Sequence, residues 1–260
     1  MRLRAAYRRD LAAQFRSHPA VTQPLTAADV RALPPQVQRY LRFADAIDAP
    51  RVWNYRLRFG GEFQMRFGGP WTRITAEQQS FADPPARLFL MKASRMGIPF
   101  VAYHRYVGAQ ATFQVRLASL IKVVDARGPQ MTQGETVTLL NDMCLLAPAT
   151  LIDPRLSWEE LDERSVRVRF TNAGHTISAV LLFAPAGELV DFASDDRYAT
   201  TDGKTYKRMR WSTPVRAWGS VDGLMLPVRA EAAWGDEGAE AAYARFDILE
   251  AEYNVRPPLA

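Results

Sequence analysis

Trp53-Asn54-Tyr55-Arg56-Leu57-Arg58-Phe59-Gly60-Gly61-Glu62-Phe63-Gln64-Met65-Arg66-Phe67 alternates apolar and polar residues on both sides of a glycine pair. A period of two is the signature of a strand with one covered face, because successive side chains leave the pleat on opposite sides. Two such runs joined by Gly60-Gly61 predict a β-hairpin, since both turn residues can take positive φ. Further strands follow at 71–81, 87–95, 100–107 and 111–124, broken at Asp83-Pro84-Pro85 and Gly97-Ile98-Pro99. Beyond Gly128-Pro129, Thr132-x-x-Glu135 reads as a capping box opening a helix that runs to about Ala147 and stops before Pro148. A short helical turn is expected around Thr150-Leu151-Ile152. Strands resume at 156–162, 165–171, 175–183, 188–197, 206–213, 227–234 and 241–254. Eleven to thirteen strands with frequent turn signals describe a mainly β (α+β) barrel or sandwich.

Upstream of residue 50 the period is helical. Leu3, Tyr7, Leu11 and Phe15 recur every four residues among Arg2, Arg4, Arg8, Arg9 and Arg16. This basic amphipathic helix is expected to pack on the domain; contact with an anionic membrane surface is its second reading. Another helix is expected from Thr26, with Asp29 three residues on. A third follows Pro34-Pro35 and buries Val37, Tyr40, Leu41 and Ala44. The layout is therefore 1–50 as N-terminal helices, and 51–254 as a single antiparallel domain with a helical insertion at 130–153.

The 260 residues carry a net charge of +5 and are 48% hydrophobic, the composition of a globular chain. Nearly all the basic residues are arginine, and many alternate with apolar ones, as in Val166-Arg167-Val168-Arg169-Phe170. Charge spread over solvated sheet faces argues against nucleic-acid binding. The single cysteine, Cys144, excludes an intramolecular disulfide and zinc sites built on several thiolates. No apolar run approaches the length of a membrane span, and no secretory h-region opens the chain, so the expectation is a cytoplasmic protein.

No dinucleotide fingerprint, serine-hydrolase elbow or zinc-protease motif occurs, and no cofactor or metal is implied. Gly203-Lys204-Thr205 imitates the end of a phosphate loop, but Tyr198 stands where its first glycine belongs. His104, Glu77 and Glu135 are the candidates for acid–base chemistry. Polar residues on apolar strand faces carry more information. Gln78 shares a face with Ile74 and Ala76, and Arg105 shares one with Val101, Tyr103 and Val107. Such groups are satisfied in a core or directed at a bound molecule.

Several stretches resemble an uncharacterised bacterial family known only as a domain of unknown function. They begin with Leu33-Pro34-Pro35-Gln36-Val37-Gln38-Arg39-Tyr40-Leu41 and Gly61-Glu62-Phe63-Gln64-Met65 with Trp71. Val124-Asp125-Ala126-Arg127-Gly128-Pro129-Gln130-Met131-Thr132-Gln133-Gly134-Glu135 is the most specific. Arg197, Trp211, Pro227, Trp234 and Tyr253-Asn254 complete a likeness spanning about residues 33–254. The resemblance implies one domain and assigns no chemistry. A looser fold-level analogy is to the half-barrel carriers of lipoproteins and lipids, a large curved sheet around an inserted helix near 132–147. On that reading a hydrophobic small molecule or lipid binds between sheet and helix. Trp53, Tyr55, Phe63, Met65, Trp211 and Trp234 would line the cavity, and Gln78, Arg105 and Arg197 would orient a polar head. The alternatives are a cofactor-independent isomerase, lyase or hydrolase in the same cavity, and a protein-interaction module.

Overall fold

The alternation becomes strands β1 (Asn54–Gln64), β2 (Trp71–Phe81), β3 (Ala86–Arg95), β4 (Ile98–Val107), β5 (Gln110–Leu117) and β6 (Ile121–Arg127). After a helical insertion come β7 (Leu156–Glu160), β8 (Ser165–Asn172), β9 (His175–Phe183) and β10 (Leu189–Ala199). The chain ends in β11 (Lys207–Ser212), β12 (Val215–Val221), β13 (Leu224–Trp234) and β14 (Ala241–Tyr253). This computed structural model describes residues 2–257 apart from 22, 96, 119 and 201. Thirteen strands follow one path, β6-β5-β4-β3-β2-β1-β14-β13-β11-β10-β9-β8-β7, and β12 pairs beside it with β13. Every pairing is antiparallel, and the sheet curls into a half-barrel. The first and last strands are neighbours at its centre.

The expected Gly60-Gly61 hairpin is corrected. β1 runs straight through both glycines, paired with β14 on one side and β2 on the other. Gly61 has φ +146°, and a Cβ there would stand 1.9 Å from the carbonyl oxygen of Arg245. The glycines serve a close approach of backbones rather than a turn. The expected strand 111–124 is two, β5 and β6, folded back with Leu117 opposite Ile121. Ser119, between them, lies outside the described residues. β12 was not expected from the sequence.

Three helices accompany the sheet: α1 (Arg2–Ser17), α2 (Pro35–Phe43) and α3 (Pro129–Leu145), the last followed by a 3-10 turn at Pro148–Ile152. α1 lies on the convex face, where Leu3 and Tyr7 pack with Leu88, Leu90, Val101 and Tyr103. Its apolar stripe is spent on this contact, and its outer face carries the exposed arginines 2, 4, 8, 9 and 16. Each fully covered Leu or Tyr side chain contributes about 1.5–3 kcal/mol, enough to fix a helix of this length. The helix expected from Thr26 is instead a set of turns, in which Asp29 accepts from the Thr26 backbone N–H and hydroxyl, both at 2.8 Å. α2 forms as the Pro34-Pro35 signal predicts, with Val37, Tyr40 and Leu41 buried.

α3 fills the concave side and is buried along nearly its whole length. It begins at Pro129, a turn earlier than expected, and the capping box is corrected. Gly128 is the cap residue, at φ +105°, with no side-chain cap. The Thr132 hydroxyl donates to the Gly128 carbonyl at 3.1 Å and accepts from the Ala111 N–H at 3.2 Å, tying the helix start to β5. Glu135 turns away into the interior. Among the described residues, no helix is long and apolar enough to cross a membrane.

Candidate functional site

A cavity of about 600 Å³ opens between the concave face of the sheet and α3. Aromatic side chains from five strands stand on its wall: Phe59 and Phe63 from β1, Phe89 from β3, Phe113 from β5, Trp234 from β13, Phe246 from β14. They face inward because they share one parity on strands whose other face is turned outward. α3 contributes Met131, Glu135, Thr138, Asp142 and Leu145. Spacings of four, three, four and three residues place these five on one helical face.

That face meets a buried charged network. The Arg87 Nε donates to Asp142 Oδ2 at 2.6 Å, and Arg87 Nη2 donates to Gln78 Oε1 at 3.1 Å. Gln78 in turn donates to Asp142 at 2.7 Å and to Ser80 at 3.0 Å. Glu135 Oε2 stands 3.3 Å from His104 Nδ1 and 3.6 Å from Arg87 Nη1. Its other oxygen accepts from Arg197 Nη2 at 3.2 Å and from the Thr138 hydroxyl at 3.3 Å. The Arg197 guanidinium lies over Trp211 (4.3 Å to the ring centre) and Trp234 (5.2 Å), and donates to the Tyr243 hydroxyl at 3.3 Å. Trp211 Nε1 donates to the same hydroxyl at 3.1 Å.

Burial sets the protonation states. It pushes the His104 imidazole down to about 4, against the pull of Glu135 and with help from the nearby Arg87 and Arg197 charges. The ring is therefore neutral at neutral pH. With Nδ1 turned to the Glu135 carboxylate, the proton sits there and Nε2 is left as an acceptor. Burial would raise the Glu135 carboxyl, but the charge around it prevails and holds it low. At neutral pH that charge is the two guanidinium groups. Burial raises the Asp142 carboxyl, with Arg87 pulling against it.

A pH dependence follows for stability. The folded His104 pKa lies below its unfolded value of about 6.5, so the unfolded chain takes up the proton first as pH falls. Stability from the neutral ring is complete above pH ~6.5 and is lost as pH drops towards about 4, a decline of roughly 2–3 kcal/mol. Chemical denaturation across this range should show the decline in wild type and a flatter curve in His104→Phe. Equal slopes would dismiss the assignment.

Phe63, Met65, Gln78, His104, Glu135, Arg197, Trp211 and Trp234 all lie on the cavity wall. Four expected positions do not, and their placement is corrected. Trp53 precedes β1 and packs outward with Phe81 and Phe15 of α1. Tyr55 is buried in the main core beside Tyr253 and stays off the cavity wall. Glu77 accepts from the Tyr7 hydroxyl at 3.2 Å on the convex face. Arg105 pairs there with Asp10 at 3.1 Å, because the outward face of β4 is the one α1 covers. Sequence reasoning missed Arg87, Asp142, Thr138 and Tyr243. A signal existed for two of them: Arg87 shares parity with Phe89 and Met91, and Asp142 follows Glu135 by seven residues. Among the described residues, no group of three or more His, Cys, Asp or Glu side chains is placed to hold a metal.

The sequence profile of the Family of unknown function (DUF6544) matches residues 23–246. The chain belongs to this family. The match takes in α2, α3, the cavity network and most of the sheet, and leaves α1 outside. No curated protein matches the sequence. The solved structures similar to this chain include two. One is a DUF1329 family protein from Desulfovibrio piger, 13% identical, covering 86% of this chain and 93% of that one, with a TM-score of 0.46. The other is a putative outer membrane lipoprotein-sorting protein domain from Vibrio parahaemolyticus, 8% identical, covering 80% and 87%, with a TM-score of 0.39.

Proposed function

We propose that this chain binds an apolar small molecule or a lipid chain in the cavity between sheet and α3, polar end towards Arg197 and His104. The observation that carries this reading is the cavity itself. Its volume of about 600 Å³ falls in the range of small-molecule sites, and its wall is mostly aromatic and aliphatic, with a cluster of charged and hydrogen-bonding groups at Arg87, His104, Glu135 and Arg197. An apolar body is stabilised by contact with the Phe walls. The polar end finds guanidinium donors and an imidazole acceptor.

Native mass spectrometry of the purified protein, with organic extraction and identification of what co-purifies, tests it. A stoichiometric apolar adduct is expected, and Phe63→Glu should lose it, because a carboxylate on the wall disfavours an apolar neighbour by several kcal/mol. An empty protein from several hosts, with no uptake of a fluorescent polyene fatty acid, would sink the reading.

One observation favours acid–base catalysis as a second reading. His104 and Glu135 form a pair at 3.3 Å with the imidazole on the cavity wall. Such a pair orients the ring but, with the imidazole near 4, leaves it a weak base. Turnover of a screened ester or lactone that disappears in His104→Ala, while the fold is retained, would decide for catalysis.

A further inference from the structure

We propose that the ends of three successive hairpins, β1–β2, β3–β4 and β5–β6, form a docking surface for an anionic lipid bilayer at the mouth of the cavity. The proposal rests on the cavity reading for its cargo and is tested apart from it. The registers place the three ends side by side. Gln64 faces Trp71, residue 95 faces Ile98, and Leu117 faces Ile121, while Ile74 pairs with Ala93 and Phe100 with Leu117 between them. All three turns therefore leave the same end of the sheet.

Large apolar side chains are concentrated there. Of the nine that are exposed among the described residues, six are Met65, Phe67, Ile98, Leu120, Ile121 and Val123. Leu120 is 80% exposed, Ile121 62% and Phe67 60%, values that a core has no use for. Met65 and Phe67 also line the cavity, so the β1–β2 hairpin end reaches the ligand space. Basic residues flank it: Arg66, Arg73 and Lys122 are exposed at the same end, and Lys207 stands on the wall of the cavity. Asp125 pairs with Lys122 at 2.9 Å, and Glu62 lies 3.7 Å from Arg245.

This chemistry fits a membrane better than a protein groove. Single side chains on the ends of turns enter a fluid interface without needing a matched shape, and arginine and lysine beside them meet lipid phosphates. Pairing of edge strand β6 with a foreign strand is opposed by Lys122 and by the register shift between Val115 and Arg116. α1 adds exposed arginines on the convex face across β3 and β4.

The test is flotation of the full chain with vesicles of phosphatidylcholine alone and of phosphatidylcholine and phosphatidylglycerol in equal parts. The protein is expected to float with the anionic vesicles, less so in high salt, and weakly with neutral ones. The double variant Leu120→Ser/Ile121→Ser should weaken flotation by about tenfold or more; both residues are exposed and off the cavity wall, so circular dichroism and binding of a fluorescent polyene fatty acid in solution should match wild type. Ile98→Ser provides an independent second variant. Failure of the wild type to float with anionic vesicles, or undiminished flotation of both variants, overturns the proposal. So does a dimer in analytical ultracentrifugation that the double variant abolishes, which would make this end an interface between copies. Fatty-acid binding without flotation sinks docking alone, and flotation without fatty-acid binding sinks the cavity reading alone.

Discussion

Arg87→Met is expected to destabilise the fold by about 3–5 kcal/mol, the largest effect of any single change in the charged network. Arg87 is almost completely buried, and among the described residues its Nε at 2.6 Å is the only cationic partner of Asp142. Methionine preserves much of the volume, so the loss measures charge rather than a cavity. Asp142 would keep only the Gln78 amide, and Glu135 would keep Arg197 but lose its second guanidinium. The stranded carboxylate can escape by binding a proton. A carboxyl whose folded pKa is raised loses stability as pH climbs through that value, so the deficit should be larger near about pH 8 than near about pH 5. Adding Asp142→Asn should restore a good part of the loss, and the double-mutant cycle in urea reads the coupling. A deficit below about 1 kcal/mol would mean that the network does not hold α3 to the sheet.

Gly61→Ala is the second large effect, with about 3 kcal/mol or more of stability lost. The new methyl would stand 1.9 Å from the Arg245 carbonyl oxygen at φ +146°, so β1 and β14 must separate locally. Gly60→Ala is the internal control. Its Cβ would meet the Leu249 side chain at an ordinary 3.5 Å and its φ lies outside the left-handed region, so a change between neutral and a gain of about 0.5–1 kcal/mol is expected. Thermal unfolding of both variants tests the pair, and similar melting points would refute the close-approach account of Gly61.

The two glycines also show where the sequence was ambiguous. Gly-Gly between alternating runs fits a hairpin turn and a strand pressed against another backbone equally well, and only the partner strand, almost two hundred residues away, decides. Alternation was legible where one face of the sheet is solvated, as in Val166-Arg167-Val168-Arg169-Phe170 of β8. It was lost in Leu88-Phe89-Leu90-Met91 of β3, because α1 covers one side and the cavity the other. With both faces apolar, parity gave no direction. The outward residue Arg105 therefore reads as inward, and the parity that Arg87 shares with Phe89 and Met91 does not say which face the three share. Glu135 was singled out, but its role was obscured by a spacing from Thr132 that imitates a capping box. His104, Gln78 and Arg197 were legible because each interrupts or ends an apolar pattern on the cavity side. β12 escaped because two register shifts and Gly219 break its period.

The central pairing of β1 with β14 has a consequence for how the chain is made. Close to 200 residues separate Tyr55 from its partner Tyr253. At roughly 5–20 residues per second, the ribosome exposes one whole edge of β1 for about 10–40 s before its neighbour is synthesised. By the end of that interval β1 to β6 and β7 to β13 are two halves with no strand between them, and β14 is the piece that sutures them. A nascent chain of this topology therefore carries an open, apolar seam out of the exit tunnel. Tyr55, Leu57 and Phe59 wait along that seam until β14 arrives.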